Sequence, residues 1–209
     1  MKKIGLFLIL LLMFTACSST QTGNSKKKYF DADNQEIERK EFLELKKQRS
    51  FMEFPSENPR NRKLFRIETE GEIKNIQYIR DLLAKEYNFS QKASAPLVVI
   101  YYREKDPCNS SGGFVNKEWM REYKKQLEEG LSKIANIQTM YLYKEYDGLE
   151  IHKNLIPWQK DPSNFFYESF FNGYFACTGF VVIAEDGRYF SRSVEFNKEL
   201  VFEVAKALN

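Results

Sequence analysis

The chain carries three cysteines, Cys17, Cys108 and Cys177, and one histidine, His152. A thiol can attack as a thiolate, close a disulfide or simply pack as a small hydrophobe, and the first two need a partner group. Cys108 lies in "LVVIYYREKDPCNSSGGF", Leu97 to Phe114, where an apolar run meets Pro107, the cysteine and a Ser/Gly loop. A single histidine excludes a multi-histidine metal centre by counting.

Other stretches admit chemistry beside a plainer reading. "NSSGG" before a helix could cradle a phosphate on its amides. It lacks the lysine and glycine spacing of a phosphate loop, so a turn is the expectation. His152, in "GLEIHKNLIPW", has no orienting partner at readable spacing, which favours packing over acid–base work. "YFDADNQEIERKEF" partly matches a calcium loop but lacks the central glycine and the terminal glutamate. "KDPSNFFYESFFNGYF", Lys160 to Phe175, is aromatic enough to dock a partner, though cover for a core is the expected role. No cofactor motif and no further metal-ligand pattern is readable.

Composition sets the frame for these residues. The 209 residues are 43% hydrophobic and 15% aromatic, a globular composition for one domain with added elements. Lys+Arg number 32 against 29 for Asp+Glu, and loss of Lys2 and Lys3 with a leader leaves 30 against 29. Such a balance offers no overall field for nucleic acid.

The N-terminus, "MKKIGLFLILLLMFTAC", has two lysines, an apolar run from Ile4 to Phe14 and small residues before Cys17. The run is short for a membrane span and has the three-part layout of a secretory signal. Its ending, Phe14-Thr15-Ala16-Cys17, resembles the lipobox of bacterial lipoproteins, with Phe14 where leucine is usual. The resemblance implies removal of residues 1–16, acylation of Cys17 and anchoring in a lipid bilayer, each buried methylene contributing about 0.8 kcal/mol. Residues 17–28, polar and aperiodic, read as a tether. Ser18 and Ser19 supply no acidic retention signal, which favours an outer-membrane anchor with the domain in the periplasm.

Residues 29–61 read as an N-terminal extension. It holds a helix around Ile37 to Leu45 and then a proline-broken loop, "FMEFPSENPRN". From position 62 strands and helices alternate. "RKLFRIET" is expected as a short strand, and Ile73, Ile76, Ile79, Leu83 and Tyr87 recur at helical spacing. "PLVVIYY" suits the middle of a sheet covered on both faces. A long helix from near Asn116 should bury Trp119, Tyr123, Leu127, Leu131 and Ile134. "IQTMYLYKEY" is another strand, and Asp161-Pro162 opens a shorter helix. "GFVVIAEDGRYFSRSV" is a hairpin turning at Asp186-Gly187. Asn197 caps a last helix with Leu200, Val201, Val204 and Leu208 inward. The expected class is α/β, a mixed central sheet with helices on both faces and a C-terminal hairpin plus helix.

This order resembles the thioredoxin fold over about residues 62–209. In that family a C-x-x-C motif follows the strand and opens the next helix. Here Lys105 to Cys108, "KDPC", matches only the second half of such a motif. One frame later, "CNSS" places Cys108 as nucleophile with Ser111 three residues on. The dithiol is absent, and Thr178 or Gly179 stands where the family has a cis-proline. The resemblance also implies that the loop holding Cys177 faces the strand end holding Cys108. Three states of that pair follow. They are a structural bridge, a reactive pair with Cys108 as nucleophile and Cys177 as resolving thiol, or two buried free thiols. The first suits a binding or scaffolding protein whose partner would be an envelope protein, and the second a thiol–disulfide exchange protein. No arginine and threonine pattern for peroxide reduction is readable.

Overall fold

A computed structural model describes residues 27–56, 58–90, 95–135 and 137–209. The segment expected as a signal peptide, Cys17 and the expected tether as far as residue 26 lie outside the described residues.

The first elements build a small sheet of their own. β1 (Lys28–Phe30) turns into β2 (Glu36–Ile37) through Asp31, whose carboxylate accepts from the amides of Asp33 and Gln35. The acidic run read against a calcium loop therefore forms an Asx turn. α1 (Arg39–Lys46) buries Phe42 against the Tyr29 ring. β3 (Phe51–Pro55) and β4 (Asn61–Arg66) pair antiparallel, and the sheet order is β2-β1-β4-β3.

This corrects the expectation of a loop at "FMEFPSENPRN". Pro55 ends the strand and Pro59 lies in the turn beyond it, and β3 is an edge strand, where a missing amide is tolerated. "RKLFRIET" is also not one strand. It breaks at buried Ile67, whose amide donates to Ser50 and whose carbonyl accepts from Ser193. β5 (Glu68–Glu72) then begins in a different sheet.

That larger sheet has order β5-β10-β9-β6-β7-β8. Along the chain it is built by β5, α2 (Ile76–Tyr87), β6 (Leu97–Tyr102), α3 (Lys117–Ala135), β7 (Thr139–Tyr143), β8 (Gln159–Lys160), β9 (Gly179–Ile183), β10 (Arg188–Arg192) and α4 (Lys198–Ala207). β6, β7 and β8 run parallel, whereas β9, β10 and β5 pair antiparallel with their neighbours. The fold is mixed α/β, with helices on both faces of this sheet and a hairpin plus helix at the end, as expected.

The alternation of side chains along the central strands divides the core. Val98 and Ile100 of β6 and Phe180 and Val182 of β9 face α3 and α4, meeting Met120, Leu127, Leu131, Val201 and Val204. Leu97, Val99, Tyr101, Val181 and Ile183 face the other way, against Ile79 and Leu83 of α2 and Phe166, Phe171 and Phe175. Each such side chain fully buried contributes about 1.5–3 kcal/mol relative to exposure. The aromatic run 160–175 is thus chiefly core cover.

Helix ends follow local chemistry. The side chains of Asn75, Asn116 and Asn197 accept from the amides of Tyr78, Trp119 and Leu200. Asp161 departs from the simple cap expected of it. Pro162–Asn164 is a short 3₁₀ turn that leads into a π-helix, Tyr167–Phe171, so the shorter helix is present. The Asp161 carboxylate reaches past the turn to the amides of Phe166 and Tyr167 at 3.0 and 2.8 Å. It also accepts from the Tyr101 hydroxyl at 2.9 Å. Burial pushes both groups up from their ordinary pKa values.

Candidate functional site at the cysteine bridge

β6 and β9 lie side by side and antiparallel, with Tyr101 opposite Gly179. The residues that leave β6 and those that enter β9 therefore meet at one end of the sheet. Cys108 and Cys177 form a disulfide there, with Cα atoms 5.0 Å apart and a sequence separation of 69. That distance lies within the ordinary range for a bridge. The reading of two free thiols is thereby set aside. Cys108 is exposed and Cys177 is buried.

Two side chains hold the loops together independently of the sulfurs. Asp106 and Asn109 exchange hydrogen bonds from backbone amide to side-chain oxygen at 2.9 and 2.8 Å, a reciprocal pair three residues apart. The Asp106 carboxylate also accepts from the Cys177 amide at 2.7 Å. The Asn109 side-chain amide donates to the carbonyls of Glu104 at 2.9 Å and Cys177 at 3.0 Å. Both backbone polar groups of Cys177 are thus satisfied from the opposite loop. The latch also supports an unfavourable backbone, since Cys177 has φ +65°, where a side chain costs about 1–2 kcal/mol.

The bridge lies between two hollows. One, of about 280 Å³, is walled by Phe114, Trp119, Tyr123, Tyr141 and Trp158. The other, of about 950 Å³, is lined by Arg49, Phe54, Tyr174, Arg192 and Glu195. In the second, Tyr174 stacks on Phe54 with ring centroids 3.9 Å apart, which joins the small sheet to the Cys177 loop.

Trp119 corrects another expectation. It opens α3 at 49% exposure and stacks on Tyr123 at 5.1 Å, one helical turn on, instead of entering the core. Met120 is buried in its place, and Leu127 and Leu131 are buried as expected.

The electrostatics around the sulfurs are led by carboxylates. A Glu195 carboxylate oxygen and both sulfurs lie within 4.8 Å of one another, and Asp106 abuts Cys177. The cations that line the hollows are already engaged. Lys124 pairs with Glu128 at 2.8 Å, and Arg192 with nearly buried Glu68 at 2.5 Å. Arg49 pairs with the same Glu68 at 3.0 Å. Cys108 also precedes α3 by nine positions, with a 3₁₀ turn, Gly112–Val115, in between. It therefore lacks the helix N-terminus that lowers a thiol's pKa in reactive cysteines.

His152 lies fully buried behind this site, edge-on to Phe114 at 4.7 Å. Neither ring nitrogen meets a hydrogen-bond partner among the described residues. Burial is the main cause that lowers its pKa. Of the positions singled out in the sequence, Cys108 and Cys177 come together, His152 packs, and the "NSSGG" segment forms turns. Asp106, Asn109 and Glu195 were not anticipated. The Asp-x-x-Asn spacing offered a faint local signal for the first two, and Glu195 offered none.

Protein-family models, curated proteins and solved structures were compared with this chain, and none matches it. Among the described residues no helix is long and apolar enough to cross a membrane.

Proposed function

We propose that this chain is a lipid-anchored cell-envelope protein whose thioredoxin-like domain binds a partner beside the Cys108–Cys177 bridge. In this reading the bridge is a staple, not a reagent. The mixed sheet, with β6 and β7 parallel, the antiparallel β9–β10 hairpin and a closing helix, is the support for the thioredoxin-like reading. The anchor rests on the signal layout and on Phe14 to Cys17.

The observation that carries the staple reading is the carboxylate of Glu195 beside the sulfurs, while Lys124, Arg49 and Arg192, which line the hollows, are paired with Glu128 and Glu68. A negative neighbour disfavours thiolates and so favours the oxidised pair. Equilibration with a thiol–disulfide buffer measures this directly. A reduction potential below about −300 mV is expected for a structural bridge. A value near or above about −230 mV sinks the staple reading, because it falls in the range of exchange proteins.

The partner surface is the aromatic-walled cavity, whose about 280 Å³ suits one or two apolar side chains of an envelope protein. Both tryptophans of the chain line it. Emission of Trp119 and Trp158 should shift when envelope proteins co-purified after crosslinking are added. A Trp119→Ala variant should lose that capture while its far-ultraviolet spectrum is kept.

Anchoring is tested separately. Mass spectrometry of the mature chain should find residues 1–16 gone and acyl chains on Cys17, and Cys17→Ala should leave the protein in the aqueous phase of a detergent partition. An unprocessed or unacylated chain overturns the anchor.

Thiol–disulfide exchange is the second reading, favoured by one observation, the exposure of Cys108 over buried Cys177. In it the Cys108 thiolate attacks a partner disulfide and the partner's thiolate leaves. Cys177 then loses its proton, attacks the Cys108 sulfur of the mixed disulfide and releases the second partner thiol. A Cys177→Ser variant that accumulates mixed disulfides in cells would favour this route.

A further inference from the structure

We infer that, once the bridge is reduced, Cys108, Cys177 and Glu195 form a binding site for Zn²⁺. The three side chains come from three separate places, the loop after β6, the loop before β9 and the segment after β10. Their ligand atoms, two sulfurs and one carboxylate oxygen, already lie within 4.8 Å of one another. Two thiolates and one carboxylate are a donor set for a borderline-soft divalent ion, and a water completes the tetrahedron.

The site is closed while the sulfurs are bonded to each other. A dithiol or phosphine reductant supplies two electrons, the S–S bond breaks, and each sulfur takes up one proton. Zn²⁺ then displaces both protons and binds the two thiolates and the Glu195 carboxylate, with the two protons passing to solvent. Bridge and metal exclude one another.

Two features of the structure favour a preformed site over a floppy pair of thiols. The Asp106 and Asn109 latch grips both backbone polar groups of Cys177, so opening the S–S bond leaves the loops in place. The local charge also asks for a cation. Glu195 crowds the sulfurs with negative charge, and Lys124, Arg49 and Arg192 are held by Glu128 and Glu68. A divalent ion turns that repulsion into attraction. Exposed Cys108 gives the ion its way in, and buried Cys177 gives it a floor.

The test uses the mature chain, reduced, freed of reductant under anaerobic conditions and titrated with zinc chloride against a chromophoric competitor, beside the same chain left oxidised. One equivalent should bind to the reduced protein and none to the oxidised protein at the same concentration. Bound zinc should protect both thiols from alkylation, and Co²⁺ in its place should show thiolate-to-metal charge-transfer absorption. Glu195→Gln, at an exposed position, should weaken zinc binding about tenfold or more, since even supporting groups carry effects of that size. Cys108→Ser should abolish the charge-transfer band.

Equal zinc affinity of the oxidised and reduced forms overturns the proposal. So does a Glu195→Gln variant that binds as tightly as the parent chain. If reduction loosens the fold, zinc should restore the circular dichroism spectrum, and failure to do so also overturns it. The staple reading is judged on the reduction potential in chelator, so the two can fail separately.

Discussion

The side-chain amide of Asn109 donates to the main-chain carbonyl of Cys177 at 3.0 Å, across 68 positions of the chain. Beside it Asp106 takes the Cys177 amide at 2.7 Å. The loops at this end of the sheet are thus joined by polar contacts as well as by sulfur.

Replacing Asn109 by alanine removes the side-chain amide that donates to the carbonyls of Glu104 and Cys177, and leaves the second, in a buried contact, without its donor. A loss of about 2 kcal/mol in the oxidised protein is expected, read from urea midpoints at unchanged slope. In the reduced protein the same substitution should speed alkylation of Cys177. A midpoint equal to that of the parent chain would show that the latch holds nothing.

The disulfide closes a loop of 69 residues' separation, for which the chain-entropy model gives about 4 kcal/mol. Urea curves with and without a phosphine reductant, both in chelator, should differ by roughly that amount. The reduced chain should still unfold cooperatively, since the latch and both core layers remain. Coincident curves would mean that the bridge stabilises nothing.

His152 should make stability depend on pH. Burial lowers its pKa in the folded state below the ordinary 6.5, so the unfolded chain binds the proton first as pH falls. Its contribution is therefore complete above 6.5 and declines as pH drops through the interval down to the folded-state value. Raised Asp161 works in the opposite direction at lower pH, and a difference measurement separates the two. His152→Leu should lose less stability than the parent chain between about pH 7.5 and 5.5, a flattening expected for any buried neutral histidine. Parallel pH profiles would exclude His152 as the source.

Gly187 turns the last hairpin at φ +93°, and a Cβ there would strike the Ile73 carbonyl. The Gly187 carbonyl accepts from the Ile73 amide at 2.8 Å, which ties the hairpin to the start of α2. Gly187→Ala should cost more than about 1 kcal/mol, seen as a lowered Tm. An unchanged Tm would contradict this turn geometry.

Several elements were legible from the residues alone. β6 was readable as a central strand because six successive apolar residues suit burial on both faces, and all six are buried. α2, α3, α4 and the β9–β10 hairpin announced themselves through 3.6-residue spacing, the Asn197 cap and Asp186-Gly187. Trp119 was misplaced because periodicity marks a face and not which turns of that face leave the core. β3 was hidden by Pro55 and Pro59, which end a strand and make a turn but read as a break. The small sheet as a whole escaped, since β1 and β2 are two or three residues long and show too little alternation.

What the sequence determined by itself is what neighbouring residues decide together, namely the leader-like N-terminus, the helix caps, the turns and the alternation that splits the core. Only the tertiary structure decided that Cys108, Cys177, Asp106, Asn109 and Glu195 share one place. Their meeting depends on β6 and β9 being antiparallel neighbours and on β10 returning beside them. Strand order is set by how whole faces pack, so local spacing does not encode it.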